Sequence, residues 1–212
     1  MKTIEQIRNF RLIAFLFMAI AIVGCNNDDD APGEENEEEV ITSVELIFTN
    51  TADANDVVRV TAVDDDGPGI GELEVGNDEI DLTAGATYTL TFEILNAVDP
   101  NDVEDIGDEI AEEDDEHQIF FSFTNDAFSN PTGNGNIDTA SDPINYNDED
   151  SDAQDGSGNP VGLSTTWTAG DTAVSDGSFT VRLQHQPDIK SATTGANDGD
   201  SDFDLTFVLN IQ

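Results

Sequence analysis

Phe203-Asp204-Leu205-Thr206-Phe207-Val208-Leu209-Asn210-Ile211 is the stretch that decides the fold. Phe203, Leu205, Phe207, Leu209 and Ile211 share one parity, Asp204, Thr206 and Asn210 the other, and Val208 is the one exception. In an extended chain successive side chains point to opposite faces, so this pattern is a strand with one apolar face and one wet face. Phe179, Val181 and Leu183 repeat it against Thr180, Arg182 and Gln184. Tyr88, Leu90, Phe92 and Ile94 do so against Thr89, Thr91 and Glu93. Val40, Val44, Leu46 and Phe48 form a fourth row, and weaker strands fit at 57–63, 119–124, 161–168 and near Leu73. Clusters of Asp, Asn, Gly and Pro separate these runs, notably at 64–69 and 130–143. The spacing predicts an all-β fold, an antiparallel β-sandwich of immunoglobulin-like type over residues 40–212.

One segment breaks the period. Asp99-Pro100 offers a cap and a first helical residue, and Val103, Ile106 and Ile110 then share a helical face. Gly107 and the acids at 112–116 weaken its C-terminal half, so one short crossover helix is expected over an edge of the sandwich.

The start of the chain predicts an address. Lys2, Arg8 and Arg11 precede an unbroken apolar run at 12–23, too short to cross a bilayer at about 20 residues but suited to a signal peptide. Ile22-Val23-Gly24-Cys25 resembles a bacterial lipobox, which implies removal of residues 1–24 and a lipid anchor on Cys25. Residues 25–39 carry eight acids and no bulky apolar side chain, and read as an acidic disordered tether. An acidic stretch directly after the lipid cysteine resembles the surface-export signal of Bacteroidota lipoproteins. The expected location is therefore the outer membrane, facing the cell surface, with a periplasm-facing arrangement as the alternative.

Charge narrows the partners. Of 6 basic and 47 acidic residues, the leader holds three and one, leaving Arg59, Arg182 and Lys190 against 46 acids and a side-chain charge of −43. Such a chain repels nucleic acid, so no nucleic-acid partner is expected and cations come first. Cys25 is the only cysteine, so disulfides do not offset the repulsion.

Asp148, Asp150 and Asp152 have the alternate spacing by which a looping backbone gathers carboxylates around Ca²⁺. Asp198, Asp200 and Asp202, continued by Asp204, repeat it, and Asp64-Asp65-Asp66-Gly67 is a weaker third case. These are the candidate Ca²⁺ ligands, with solvated acidic turns as the simpler alternative. The two histidines, His117 and His185, both fall on inward parities. Buried histidines are most simply core residues bonded to each other or to neighbouring carboxylates, and the rival role is capture of a transition metal or haem iron. Trp167 shares parity with Val161 and Leu163 and is expected in the core. Asp138-Thr139-Ala140 and Asp171-Thr172-Ala173 resemble the O-glycosylation acceptor of Bacteroidota exported proteins, making Thr139 and Thr172 candidate acceptors.

Several segments together resemble a family of small, very acidic Bacteroidota lipoproteins of unestablished function. They are Glu116-His117-Gln118-Ile119-Phe120-Phe121-Ser122-Phe123, Asn159-Pro160-Val161-Gly162-Leu163, the run from Leu183 to Ser191, and the closing Asp202 to Phe207. Such proteins are sometimes labelled as having a type 1 periplasmic binding fold. The strand pattern here argues against that label, because alternating β and α segments are missing. No nucleophile motif stands out, and Cys25 would be blocked by lipid, so a non-catalytic binding or display module for an unknown extracellular or periplasmic ligand is expected. A carbohydrate-active enzyme with two facing carboxylates is the remaining alternative.

Overall fold

The computed structural model describes residues 39–64, 73–148 and 159–212. The signal segment, Cys25, residues 26–38, Asp65 to Gly67, Asp150 and Asp152 lie outside the described residues. Residues 38–212 form one compact unit.

Eleven strands and one helix are found among the described residues. They are β1 (Ser43–Asn50), β2 (Val57–Val63), β3 (Glu74–Val75), β4 (Ile80–Leu82), β5 (Thr87–Asn96), β6 (Glu104–Asp105), α1 (Ile106–Glu112), β7 (His117–Phe123), β8 (Phe128–Asn130), β9 (Ser164–Ala169), β10 (Val174–His185) and β11 (Asp200–Ile211). One sheet runs β3-β2-β1-β5-β9-β8, with β6 also on β5, and the other runs β4-β11-β10-β7. The chain is thus mostly β, as its period predicts. The pairing is not purely antiparallel, because β4 lies parallel to β11, with Ile80 opposite Leu209. β4, β6 and β8 are too short to show a period, which is why the sequence does not announce them.

The alternation becomes burial. Phe203, Leu205, Phe207, Leu209 and Ile211 are buried, whereas Val208, the exception in the pattern, faces out and is 38% exposed. Thr180 and Thr206 meet across the outer face of β10 and β11 at 2.8 Å. Both sheets contribute to one aromatic core. Trp167 of β9 lies 5.0 Å from Phe179 of β10 and 5.2 Å from Phe121 of β7, and Phe48 of β1 lies 5.5 Å from Phe179, all edge-on. Edge-to-face rings match positive rims to negative faces, which adds to their area burial. The Trp167 indole N–H, deep in this core, donates to Thr165 Oγ1 at 2.7 Å.

The free edge of β7 is covered by its own loop. Asn136 donates its backbone N–H to Phe121 O at 2.8 Å, and its side-chain oxygen accepts from Phe121 N–H at 2.9 Å. This approach requires Gly135, with φ +100°, because a Cβ there would stand 2.1 Å from the Phe121 carbonyl oxygen.

The helix begins later than expected. Asp99 accepts from Asn101 N–H at 2.9 Å in a local turn, and Val103 is exposed. Asp105 is the actual N-cap, accepting from Gly107 N–H at 3.0 Å, and Ile106 and Ile110 are the buried face. The reason is pairing: β6 holds Glu104 and Asp105 on the end of β5, so the chain is extended up to Asp105. Its last turn has no basic residue, but Lys190 Nζ donates to the carbonyls of Asp114 and, at 2.7 Å, His117 just beyond it.

Candidate metal centre

β7 and β10 pair so that His117 sits directly opposite His185. Both are inward residues at the ends of their strands, and directly opposed side chains lie within about 5.5 Å at Cβ. The rings stack, with centroids 4.4 Å apart and planes 8° from parallel. Both are buried, His117 completely.

Carboxylates arrive from four directions. Glu113, at the C-cap of α1, lies four residues before His117 and brings an oxygen to 3.7 Å from its Nδ1. Glu116, in the turn between α1 and β7, reaches His185 Nε2 at 3.2 Å. Glu39, ahead of β1, places Oε1 2.9 Å from His117 Nε2, and its side chain is 7% exposed. Asp202 comes within 3.9 Å of the same nitrogen. The register of β10 against β11 slips between Leu183 and Gln184, so that Phe203 faces Leu183 and Ser201 faces Gln184. Such an irregularity re-aims a side chain, here turning Asp202 inward.

The electrostatics are those of a buried ion pair. Burial alone would lower the His117 pKa, but the contact with Glu39, the Glu39 charge, and those of Asp202 and Glu113 outweigh it and hold the pKa above the ordinary 6.5. Burial would raise Glu39, yet its contact with His117 and the imidazolium charge bring it below 4.5. Glu113 is raised, first by burial and further by the Glu39 and Glu116 charges. Even so, Glu39 does not satisfy the ring. Neither nitrogen of His117 meets an aligned hydrogen-bond partner, and neither does the buried Oε2 of Glu39. Buried polar atoms are nearly always satisfied, so three on one pair of neighbouring side chains are a departure that asks for a cause.

One ligand atom each from Glu39, Glu113, His117 and His185 falls within 4.8 Å of the others. Two imidazoles and two carboxylates are the donor set of zinc and its d-block neighbours, whereas Ca²⁺ takes six to eight oxygens. A tetrahedral ion with bonds of about 2.1 Å has ligand atoms about 3.4 Å apart, so the set has to contract by about 1.4 Å around an ion. Parallel rings also cannot both hold one ion in their planes, so one imidazole has to turn on loading. Glu116 on His185 occupies the position of the outer carboxylate that orients a ligating histidine.

The surroundings brace this end of the two strands. Gln186 N–H donates to Glu116 O at 2.6 Å. Gly199, with φ +83°, passes so close that a Cβ would stand 2.1 Å from the His185 carbonyl oxygen.

The aspartate runs fare differently. Asp198 accepts from Gly195 N–H at 2.8 Å, Asp200 is exposed, Asp202 joins the histidines and Asp204 pairs with Arg182. The run from Asp198 to Asp204 is therefore spread over several partners. Asp148 accepts from Gly162 N–H at 2.8 Å and Ser164 N–H at 3.4 Å, with burial raising its pKa. Thr139 and Thr172 both lie in loops, Thr172 exposed and Thr139 half-buried. Glu39, Glu113 and Glu116 were not among the residues the sequence singles out. The i,i+4 spacing of Glu113 and His117 at a helix end was the available signal; Glu39, 78 positions from His117, had none.

No protein-family model matches this chain, and neither curated proteins nor solved structures provide a match.

Proposed function

We propose that this chain is a lipid-anchored, exported β-sandwich of immunoglobulin-like type, a non-catalytic module at the outer membrane whose ligand is a divalent transition-metal ion. Glu39, Glu113, His117 and His185 hold the ion. The observation that carries the reading is a completely buried imidazole with no aligned partner at either nitrogen, stacked on a second imidazole and faced by an orphaned carboxylate oxygen. A stray cluster of surface acids would not bury these atoms. Four protein ligands, with Glu116 and Asp202 behind them, leave little room for a reactive water, which favours holding the ion over catalysis with it. The ring geometry also favours a single ion over haem, because two axial imidazoles stand end-on across the iron and not face to face. The sandwich reading is supported by two sheets closing on one aromatic core, with one parallel pair at an edge. Calcium on the Asp-rich loops would be additional to this site.

The test is titration of the unlipidated mature chain (residues 25–212, Cys25→Ser), stripped with chelator, with Zn²⁺ by calorimetry and with Co²⁺ by its visible absorption. One ion per chain is expected, with nitrogen–oxygen cobalt bands and affinity reduced at least tenfold by Glu113→Gln, a half-exposed position that spares the core. No binding, or equal binding of Ca²⁺ and Mg²⁺, sinks the reading.

A further inference from the structure

Glu39 differs from the other three ligands: His117 and His185 sit in strands and Glu113 is bonded to the helix as its C-cap, whereas Glu39 precedes the first strand. The backbone is first tied to a sheet at Thr42, whose N–H donates to Leu95 O at 2.8 Å. Between them Ile41 packs against the core, but Val40 is 47% exposed. The Glu39 carboxylate is nonetheless carried inward to 7% exposure. A carboxylate is not buried without a counter-charge, and Glu39 has one oxygen at His117 and the other, Oε2, without a donor. A cation shared with His117, His185 and Glu113 would answer both oxygens.

We infer that the metal ion latches the root of the N-terminal segment: with the ion bound, Glu39 and Val40 are fixed to the domain, and with it removed they are released up to Ile41, which the core and the sheet hold on their own. This rests on the metal reading above and adds to it a regulated element.

The Glu39–Val40 peptide bond reports on this directly, because glutamyl endopeptidase cuts after Glu and needs an extended, accessible chain. The mature chain is digested with chelator and with excess Zn²⁺, and the products are read by mass spectrometry. A free glutamyl peptide added to each digest serves as the internal reference for protease activity. The product beginning at Val40 is expected to form at least tenfold more slowly with Zn²⁺. Hydrogen exchange at the Val40 amide is expected to slow by a similar factor with Zn²⁺, and in Glu39→Gln to be insensitive to it, with the sheet-bonded Thr42 amide as the unchanging reference. If calorimetry shows Zn²⁺ bound but the Val40 product forms at the same rate, the latch is overturned and the metal site stands. If Zn²⁺ does not bind, the metal reading falls and the latch with it.

Discussion

His117 and His185 face one another across the β7–β10 register with their rings stacked at 4.4 Å, and the carboxylates around them come from Glu39, Glu113, Glu116 and Asp202. In a chain whose side chains sum to −41, acids are here turned inward around two imidazoles. Among themselves these carboxylates repel, and the imidazoles offset that repulsion.

Metal selectivity follows from the donor set. At constant ionic strength, Zn²⁺ at a hundredfold excess over its dissociation constant should add about 2.7 kcal/mol of stability by linkage. For a domain of this size that raises Tm by roughly 5–10 °C. Mg²⁺ and Ca²⁺ should produce only the smaller change due to screening. Thermal unfolding of the chelator-stripped chain with each ion checks this, and the Zn²⁺ increment should shrink in Glu113→Gln. Equal shifts from all three ions would mean that the carboxylates respond to charge alone.

The metal-free protein should lose stability as pH rises. His117 has its pKa raised above 6.5, so its contribution is complete below 6.5 and disappears as pH climbs through the raised value. Glu39 is lowered below 4.5, so its share is present above 4.5 and lost as pH falls through the lowered value. Glu113, raised by burial, works in the same sense as His117, because its charged form is the disfavoured one. His117 and Glu39 are both fully stabilising between 4.5 and 6.5, and the loss from Glu113 as pH rises above 4.5 moves the optimum to the acid end of that window. His117→Asn should flatten the descending limb in chelator. With Zn²⁺ present the slope should reverse, since protons and metal compete for the same nitrogens. Urea midpoints across pH, with and without the ion, measure both slopes.

Gly199 sets the approach of the 186–199 loop to the site. Gly199→Ala adds a Cβ 2.1 Å from His185 O at φ +83°, so it should cost about 1–3 kcal/mol and weaken Zn²⁺ binding by displacing His185. Gly195→Ala, four residues earlier, meets nothing within 4 Å and should leave both unchanged. A similar loss from both substitutions would mean that loop entropy, and not the contact with His185, is the cause.

Much of the fold was legible because it depends on a local signal. The parity of Phe203 through Ile211 and of Phe179 through Leu183 is a property of neighbours in sequence, and burial followed it residue by residue, Val208 included. The same parity placed His117 and His185 inside. What it could not supply was register. That His117 lies opposite His185, that the slip at Leu183/Gln184 turns Asp202 inward, and that Glu39 arrives from before β1 are all matters of long-range pairing. The helix start was misjudged for a related reason: Asp99-Pro100 is a good local start, but the pairing of β6 with β5 delays the helix to Asp105.

Lys190 is where stability and site geometry meet. It is one of three lysines and arginines among the described residues, and it donates to the backbone carbonyls of Asp114 and His117. Those carbonyls lie where the chain leaves α1 and enters β7, so the ammonium both answers a helix terminus and fixes the backbone that carries the His117 ring. Lys190→Met keeps the aliphatic stem and removes only the donor. A hydrogen bond from a charged donor contributes about 1.5–3 kcal/mol, and leaving its buried acceptor unmet costs a similar amount. Tm should therefore fall by roughly 3–10 °C. If the loss comes from the bonds to these carbonyls, the NMR shifts of His117 and its neighbours should move while those of Trp167 in the aromatic core stay put. A uniform perturbation reaching Trp167 would show that Lys190 supports the whole sheet and not this corner.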